Sequence, residues 1–114
     1  MRAQRLRRTH DIEVVREDGQ LRADRHFTLR ARPNGLDVVR VAVSAAGGLG
    51  TAVRRNRARR RVREAIREAL RGRRSAPGTD LFVVARPPAL DAPSEAIRAA
   101  VTKELESVLG PERA

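Results

Sequence analysis

Cysteine, tryptophan and tyrosine are absent from this chain of 114 residues. Without cysteine, a disulfide framework and a thiolate metal site are excluded. Phe27 and Phe82 are the only aromatic residues of the Phe, Trp and Tyr class, so a module that stacks unpaired bases on several rings is disfavoured. No apolar run approaches the length of a membrane span, and the charged N-terminus lacks the apolar region of a secretory signal. We therefore expect a cytoplasmic protein without a membrane partner.

The sequence also lacks a constellation of catalytic side chains. His10 and His26 have no partner at a fixed spacing, so a metal pair is disfavoured. The carboxylates are scattered, and the serines lie outside the strand–turn–helix context of an activated nucleophile. We predict no catalytic residue, no metal site and no cofactor bound by the protein alone.

What the sequence has in excess is positive charge. The formal net charge is +11, and all basic residues except Lys103 are arginine. Residues 1–8 contain four arginines and no acid, and residues 51–74 contain eleven arginines and two glutamates. Genomic base composition explains the preference for arginine, but it does not explain the clustering. Clustered cations of this density indicate a polyanionic partner, and nucleic acid is the most abundant polyanion in a cell.

Three segments have the apolar spacing of amphipathic helices. We predict helices over Thr9–Asp18, Thr51–Leu70 and Ser94–Leu109, and the first residue of each range is its predicted N-cap. The middle helix has one apolar stripe, made of Ala58, Val62, Ala65, Ile66, Ala69 and Leu70. Its other faces are filled with arginine.

The strands are predicted from shorter patterns. His26–Arg32 alternates between apolar and polar residues, and after a Pro-Asn-Gly turn Leu36–Ala45 forms the second strand of an antiparallel hairpin. Leu81–Ala85 is a continuous apolar run, typical of a strand buried on both faces, and a short strand lies near Leu21–Ala23. The pattern predicts a single domain over residues 1–114, an α+β two-layer sandwich with helices packed on a mostly antiparallel central sheet.

The densest positive segment, Arg54–Arg63, forms the first half of the middle helix. Arginines three or four residues apart repel each other by roughly a few tenths of a kcal/mol per pair, so a neutralising polyanion explains the run better than a solvated surface does. Asn56 interrupts the run, and we expect its amide to add a directional hydrogen bond. The predicted nucleic-acid-binding residues are Arg54, Arg55, Asn56, Arg57, Arg59, Arg60, Arg61, Arg63 and Arg67.

The segment Gly50–Glu64, with Arg55-Asn56-Arg57 at its centre, resembles the RNR motif of the bacterial ribonuclease P protein component. Arg5-Leu6-Arg7 is similar to the N-terminal basic-Leu-basic element of that family, and Arg40–Ser44 and Val83–Pro87 are similar to the strands on either side of the motif. The resemblance implies the element order αβββαβα. It also implies a left-handed β-α-β crossover around the RNR helix, opposite to the usual hand.

For function, the resemblance implies a ribonuclease P subunit that binds one catalytic RNA and the 5′ leader of precursor tRNA. Leader removal would be Mg²⁺-dependent hydrolysis at the RNA active site, so the protein would belong to an enzyme without contributing an active site. The RNR helix would bind the RNA, and residues 1–8 would add the basic side chains Arg5, Arg7 and Arg8. The implied leader cleft, between the first helix and the sheet, contains the candidates Ile12, Arg16, Phe27 and Arg30.

The chain departs from the family pattern at several positions. The family usually has aromatic residues at the positions of Ile12 and Arg16, and often at Arg30, and it has lysines where this chain has Gly47 and Gly48. These departures predict a leader contact that is more electrostatic and less dependent on stacking. An rRNA-binding or RNA-chaperone module without enzymatic function is the alternative. A DNA-binding protein is disfavoured because no helix-turn-helix pattern is evident.

Overall fold

The computed structural model describes residues 1–111. Its helices are α1 (Thr9–Asp18), α2 (Ala52–Arg71) and α3 (Ser94–Leu109). Its strands are β1 (Gln4–Arg5), β2 (Gln20–Ala23), β3 (Phe27–Pro33), β4 (Val39–Ala45) and β5 (Thr79–Ala85). Short 3₁₀ turns at Gly47–Leu49 and Pro87–Leu90 follow β4 and β5. The predicted α+β class is confirmed, and the two-residue strand β1 precedes the expected series of elements.

The strands form one sheet in the order β1-β4-β5-β3-β2. β5 is parallel to β4, with Val39 opposite Thr79 and Ala45 opposite Ala85, and it is antiparallel to β3. β1 is parallel to β4, whereas β2 is antiparallel to β3. Two of the four neighbouring pairs are therefore parallel, and the predicted mostly antiparallel sheet is in fact mixed.

The predicted hairpin of residues 26–32 and 36–45 is wrong, because β5 lies between β3 and β4. β5 contains the longest apolar run, and a central position covers both of its edges. The connection from β3 to β4 passes close to the residue that precedes β5. A Cβ at Gly78 would lie 1.8 Å from the carbonyl oxygen of Leu36. Leu36 itself is 52% exposed and lies outside β4.

The main core lies between one face of the sheet and the helices α2 and α3. Leu29, Leu81 and Val83 of the sheet are fully buried there, together with Val62 of α2 and Val101 of α3. Side chains alternate along a strand, so Phe82 and Val84 point to the opposite face, where both are only half-buried. The prediction that β5 is buried on both faces is therefore wrong.

Helix α1 packs on this second face and covers only part of it. Its buried Val15 lies close to Gly19, the residue that precedes β2. A Cβ added to Gly19 would lie 2.4 Å from the Val15 carbonyl oxygen and 3.1 Å from the Cβ of Arg30, so α1 and the sheet approach each other closely at this glycine. The Arg16 guanidinium lies over the Phe82 ring. Because α1 is short, the rest of this face remains open as a cleft beside the helix.

The helix ends agree with the predictions to within one residue. Thr51 caps α2, since its hydroxyl oxygen accepts a hydrogen bond from the Arg54 N–H at 3.3 Å. Thr9 and Ser94 are instead the first residues of their helices, and the N-cap positions belong to Arg8 and Pro93. Neither Arg8 nor Pro93 makes a side-chain cap hydrogen bond; the Pro93 carbonyl accepts a hydrogen bond of the first helical turn, from Ala96 N at 3.0 Å.

The β4–α2–β5 segment connects two neighbouring parallel strands through a helix, which is the unit that the sequence resemblance implies. The left hand of this crossover stays a prediction. Within residues 1–111, none of the helices has the length and apolar character needed to cross a membrane.

Candidate nucleic-acid interface

Helix α2 places its arginines around a buried apolar stripe. The stripe is the predicted one: Ala58, Val62, Ala65, Ile66 and Leu70 are buried against the sheet and α3, and Ala69 is half-buried. The remaining positions of the helix face its two flanks and the solvent. The contacts of the arginines on these faces divide them into groups with different roles.

Arg54 and Arg55 contact the loop that leads into the helix. Arg54 Nε donates to the carbonyl oxygen of Leu49 at 2.9 Å. Arg55 donates from its two terminal nitrogens to Ala46 O at 3.1 Å and Ala45 O at 3.3 Å. Both guanidinium groups therefore hold the end of β4 and the following glycine-rich loop against α2.

Arg57 and Arg61 contact the connection between β5 and α3. Arg61 donates to the carbonyl oxygens of Ala89 at 2.7 Å and Leu90 at 2.9 Å, and also to that of Ala92. Arg57 Nε donates to Leu90 O at 3.2 Å. These carbonyl groups lie at the end of a 3₁₀ turn, where intrahelical donors are lacking. The two arginines thus supply the donors that the turn itself cannot.

Asn56 is exposed near the start of the helix. Its side-chain oxygen accepts a hydrogen bond from Arg59. The amide NH₂ group is therefore the end of the side chain that Asn56 can offer to a ligand, and it is a donor. A donor beside arginines suits a phosphate oxygen or a base acceptor; the nucleic-acid contact of Asn56 stays a prediction.

Arg59, Arg63 and Arg67 form a row along one flank of α2, one turn of helix or about 6 Å apart. Arg5 of β1 lies beside the row. Loss of hydration lowers the pKa of Arg63, and the positive charges of Arg5, Arg59 and Arg67 lower it further, although the side chain remains exposed overall. Among residues 1–111, the ion pairs of the structure involve none of these four arginines. The row is a concentration of uncompensated positive charge.

A groove of about 1400 Å³ runs beside this row. It is lined by residues 1–7, by Val41–Ser44 of β4, and by Arg63, Arg67 and Arg71 of α2. Ile12 and Phe82 line the same groove. The groove therefore joins the arginine row of α2 with the open face of the sheet beside α1. Arg7 and Arg8 are exposed where the chain passes from β1 to α1.

The cleft beside α1 differs in part from the prediction. Arg16 lies with its guanidinium carbon 5.7 Å from the centre of the Phe82 ring, and Arg30 lies opposite Phe82 on the neighbouring strand. Ile12 is half-buried at the edge of the cleft. The prediction for Phe27 is wrong, because this side chain is fully buried in the core on the other face of the sheet.

Phe82 is the cleft residue that sequence reasoning missed. It lies within a continuous apolar run, and such a run does not show which residues face the main core. The alternation of Leu81, Phe82 and Val83 would have placed Phe82 opposite the other two if the run had been treated as half-covered. Phe82 therefore supplies aromatic surface where the helix positions supply Ile12 and Arg16.

Charged residues beside α1 pair with each other. Arg40 forms two hydrogen bonds with Asp80 and lies 3.5 Å from the carboxylate of Asp11 on α1. Asn34 also donates to Asp80 Oδ1, at 2.9 Å. This network ties α1 to the sheet.

The described part of the chain brings together no group of three histidine, cysteine or carboxylate side chains that could hold a metal ion. His26 lies 2.9 Å from Asp24 in the turn between β2 and β3. Asp24 also accepts the backbone N–H of His26 at 2.8 Å, so this pair closes a turn.

Comparison with known proteins identifies the fold. The structure of the Staphylococcus aureus RNase P protein is similar, with 28% identity and a TM-score of 0.74 over 95% of this chain and 99% of the other. The RNase P protein from Thermotoga maritima has 25% identity and a TM-score of 0.78 over 94% of this chain and 99% of the other. No protein of curated function matches the sequence. The family model for ribonuclease P matches residues 1–109, and the chain therefore belongs to the ribonuclease P protein family.

Proposed function

We propose that the chain binds the catalytic RNA of ribonuclease P and the 5′ leader of precursor tRNA, and thereby assists leader removal in tRNA maturation. The observation that supports this most directly is the row Arg59, Arg63 and Arg67 with Arg5, which forms no ion pair among the described residues. Membership of the ribonuclease P protein family supports a role as a subunit of that enzyme. The arginine row supports placing this RNA contact at particular side chains.

The arginine row would bind the phosphate backbone. Arginine offers planar, bidentate donors to phosphate oxygens, and each neutralised phosphate releases condensed counterions. Arg60 and Asn56, both exposed on α2, would extend the contact along the helix. The binding would be strongly salt-dependent, since the described surface is basic and offers little aromatic area.

The cleft beside α1 would bind the leader. Arg16 and Arg30 provide positive charge for its phosphates, and the half-buried face of Phe82 provides a surface for one base. The groove that joins Phe82 to the arginine row would allow the leader and the catalytic RNA to lie on one continuous surface. This arrangement combines the predicted electrostatic contact with a single stacking position.

The chemistry would belong to the RNA. Mg²⁺ at the RNA active site would supply the activated water for phosphodiester hydrolysis, and one protein would serve one RNA subunit. The protein's contribution would be to hold the substrate in place and to screen the repulsion between two polyanions. Such a contribution is largest when Mg²⁺ is scarce, because Mg²⁺ also screens that repulsion.

Reconstitution with a bacterial ribonuclease P RNA tests the proposal. At low Mg²⁺ we expect the protein to increase the rate of leader cleavage from a precursor tRNA. Cleavage that stays unchanged over a range of protein concentrations would exclude the proposed function. In that case the alternative, an rRNA-binding or RNA-chaperone module, would be tested by identifying the RNA that co-purifies with the protein.

A further inference from the structure

The two flanks of α2 differ in what is already bound to them. On the flank that faces α3, the guanidinium of Arg61 is surrounded by the carbonyl oxygens of Ala89, Leu90 and Ala92, and the Ser94 hydroxyl lies 3.5 Å away. Ala89 and Leu90 are buried. A phosphate that bound the terminal nitrogens of Arg61 would displace them from these carbonyl groups. Leu90 O would keep its hydrogen bond from Arg57, whereas the buried Ala89 carbonyl would lose its Arg61 donor, at a cost of about 1–3 kcal/mol.

The same flank carries carboxylates further towards the C-terminal end of α2. Arg57, Arg61, Glu64 and Glu68 follow one another at helical spacing and therefore lie on one stripe. Glu68 lies 3.6 Å from Arg98 of α3, so part of its charge is balanced within the protein. Glu64 and Glu68 are both exposed, and a polyanion that approached along this stripe would meet two carboxylates.

On the opposite flank, the described residues show neither backbone carbonyl groups bound to Arg63 and Arg67 nor a stripe of carboxylates. Arg63 and Arg67 are exposed, they border the large groove together with residues 1–7, and Arg5 adds a further charge from β1. Arg60 lies between the two flanks and faces the solvent. The pKa of Arg63 is lowered first by loss of hydration and then by the positive charges of Arg5, Arg59 and Arg67, so the positive charges are crowded on this side.

We infer that the RNA lies on only one flank of α2, with its backbone over Arg60, Arg63 and Arg67 and continuing to Arg5 of β1. Arg61 and the α3 side of the helix are outside this footprint. The inference rests on the proposed function for the identity of the RNA. It adds the direction in which the bound RNA runs: from α2 to the N-terminal strand and the groove, away from α3.

Matched charge changes on the two flanks test the inference. The probe is a bacterial ribonuclease P RNA transcript, and the measurement is the slope of log affinity against log salt concentration. Arg63→Ala and Arg67→Ala should each reduce the magnitude of the slope by about 0.7–0.9, the value for one phosphate contact. Arg61→Ala should leave the slope unchanged and lower the melting temperature instead. An equal loss of slope for Arg61→Ala and Arg63→Ala would overturn the one-sided footprint.

Because Arg61→Ala removes a fold contact and can impair folding, Glu68→Lys provides a second test. It adds charge on the α3 flank without removing a contact to the carbonyl groups. We expect an unchanged salt slope, whereas a slope that is steeper by about 0.7–0.9 would place the RNA on that flank and contradict the inference.

The absence of cysteine allows a direct measurement of the RNA position. Single cysteines at the exposed positions Gln4 of β1 and Ala99 of α3 can carry a photoactivated crosslinker. Crosslinks to the RNA from Gln4→Cys but not from Ala99→Cys are expected, and the reverse pattern would overturn the inference. If the wild-type protein failed to stimulate cleavage but kept this pattern with another structured RNA, the proposed function would fail while the footprint stood.

Discussion

Arg40 and Asp80 are joined by two parallel hydrogen bonds across neighbouring strands, from Nε to Oδ1 at 2.7 Å and from the terminal nitrogen to Oδ2 at 2.6 Å. The hydrogen bond to Asp80 raises the pKa of Arg40 above its ordinary value, and burial opposes this effect. Because the raised value lies far above neutrality, the stabilisation from Arg40 is fully present at every physiological pH. The pair joins β4 to β5, and through Asp11 it also holds α1.

Removal of Asp80 should therefore destabilise the protein strongly. Asp80→Ala leaves the Arg40 guanidinium and the Asn34 amide without their shared acceptor, and breaking such a partly buried pair costs about 3–5 kcal/mol. Chemical denaturation measures the loss. The control is Asp37→Ala, at an exposed position of the connection between β3 and β4. It should change stability by less than about 0.5 kcal/mol. Similar losses for both variants would show that the pair is not a main support of the sheet.

Arg63 should lower the stability of the free protein and raise its affinity for RNA. Its neighbours Arg5, Arg59 and Arg67 repel it, so Arg63→Gln should stabilise the unbound protein by roughly a few tenths of a kcal/mol. The same change should weaken RNA binding. Added salt should raise the melting temperature of the wild type more than that of the variant, because it screens the repulsion. A variant that melts lower than the wild type at low salt would contradict this balance.

Gly78 should tolerate no side chain. The Cβ of Gly78→Ala would overlap the backbone oxygen of Leu36 at 1.8 Å, and the overlap can be relieved only by moving the β3–β4 connection. We expect a loss of about 1–3 kcal/mol, as for other overpacked sites. Gly47→Ala is the matched control, since a Cβ there meets nothing within 4 Å. Thermal melting of both variants would show whether close approach, rather than loss of glycine as such, determines the effect.

Phe82 should matter for precursor tRNA and not for mature tRNA. Phe82→Ala removes the one aromatic surface in the cleft, and loss of a stacked base costs about 1–3 kcal/mol. The affinity of the reconstituted holoenzyme for precursor tRNA should fall accordingly, while its affinity for mature tRNA stays the same. Phe82→Leu retains most of the packing volume and controls for stability. If Phe82→Leu bound the precursor as tightly as the wild type, stacking would be excluded.

The helices and their arginines were predictable because their patterns are local. The apolar stripe from Ala58 to Leu70 repeats at the helical period within a single segment, and the flanking positions are then exposed by geometry. The identity of the family could also be inferred locally, since Arg55-Asn56-Arg57 and its surroundings are contiguous in the sequence. One charged helix and its neighbours were therefore sufficient to indicate the family.

What could not be predicted depends on residues that are distant in the sequence. Residues 26–32 and 36–45 have the pattern of a hairpin, and only the position of β5 prevents them from pairing. The use of Arg61 by the protein's own backbone depends on carbonyl groups 28 and 29 residues away. Phe82, and not the predicted Phe27, is the aromatic residue of the cleft, and this depends on which face of the sheet α1 covers. The first two features are tertiary contacts without a local signal. For the third, alternation along each strand shows which side chains share a face, but not which face α1 covers.

The central position of β5 also determines when the fold can form. β3 and β4 meet only through β5, so the facing edges of both strands stay open until Thr79–Ala85 has been synthesised. Open edges of this kind are sites of mispairing between nascent chains. Pairings over such sequence separations also slow folding. During synthesis, β5 and α3 follow the basic helix, so the arginine-rich segment leaves the ribosome before two of the elements that bury its apolar stripe have been made.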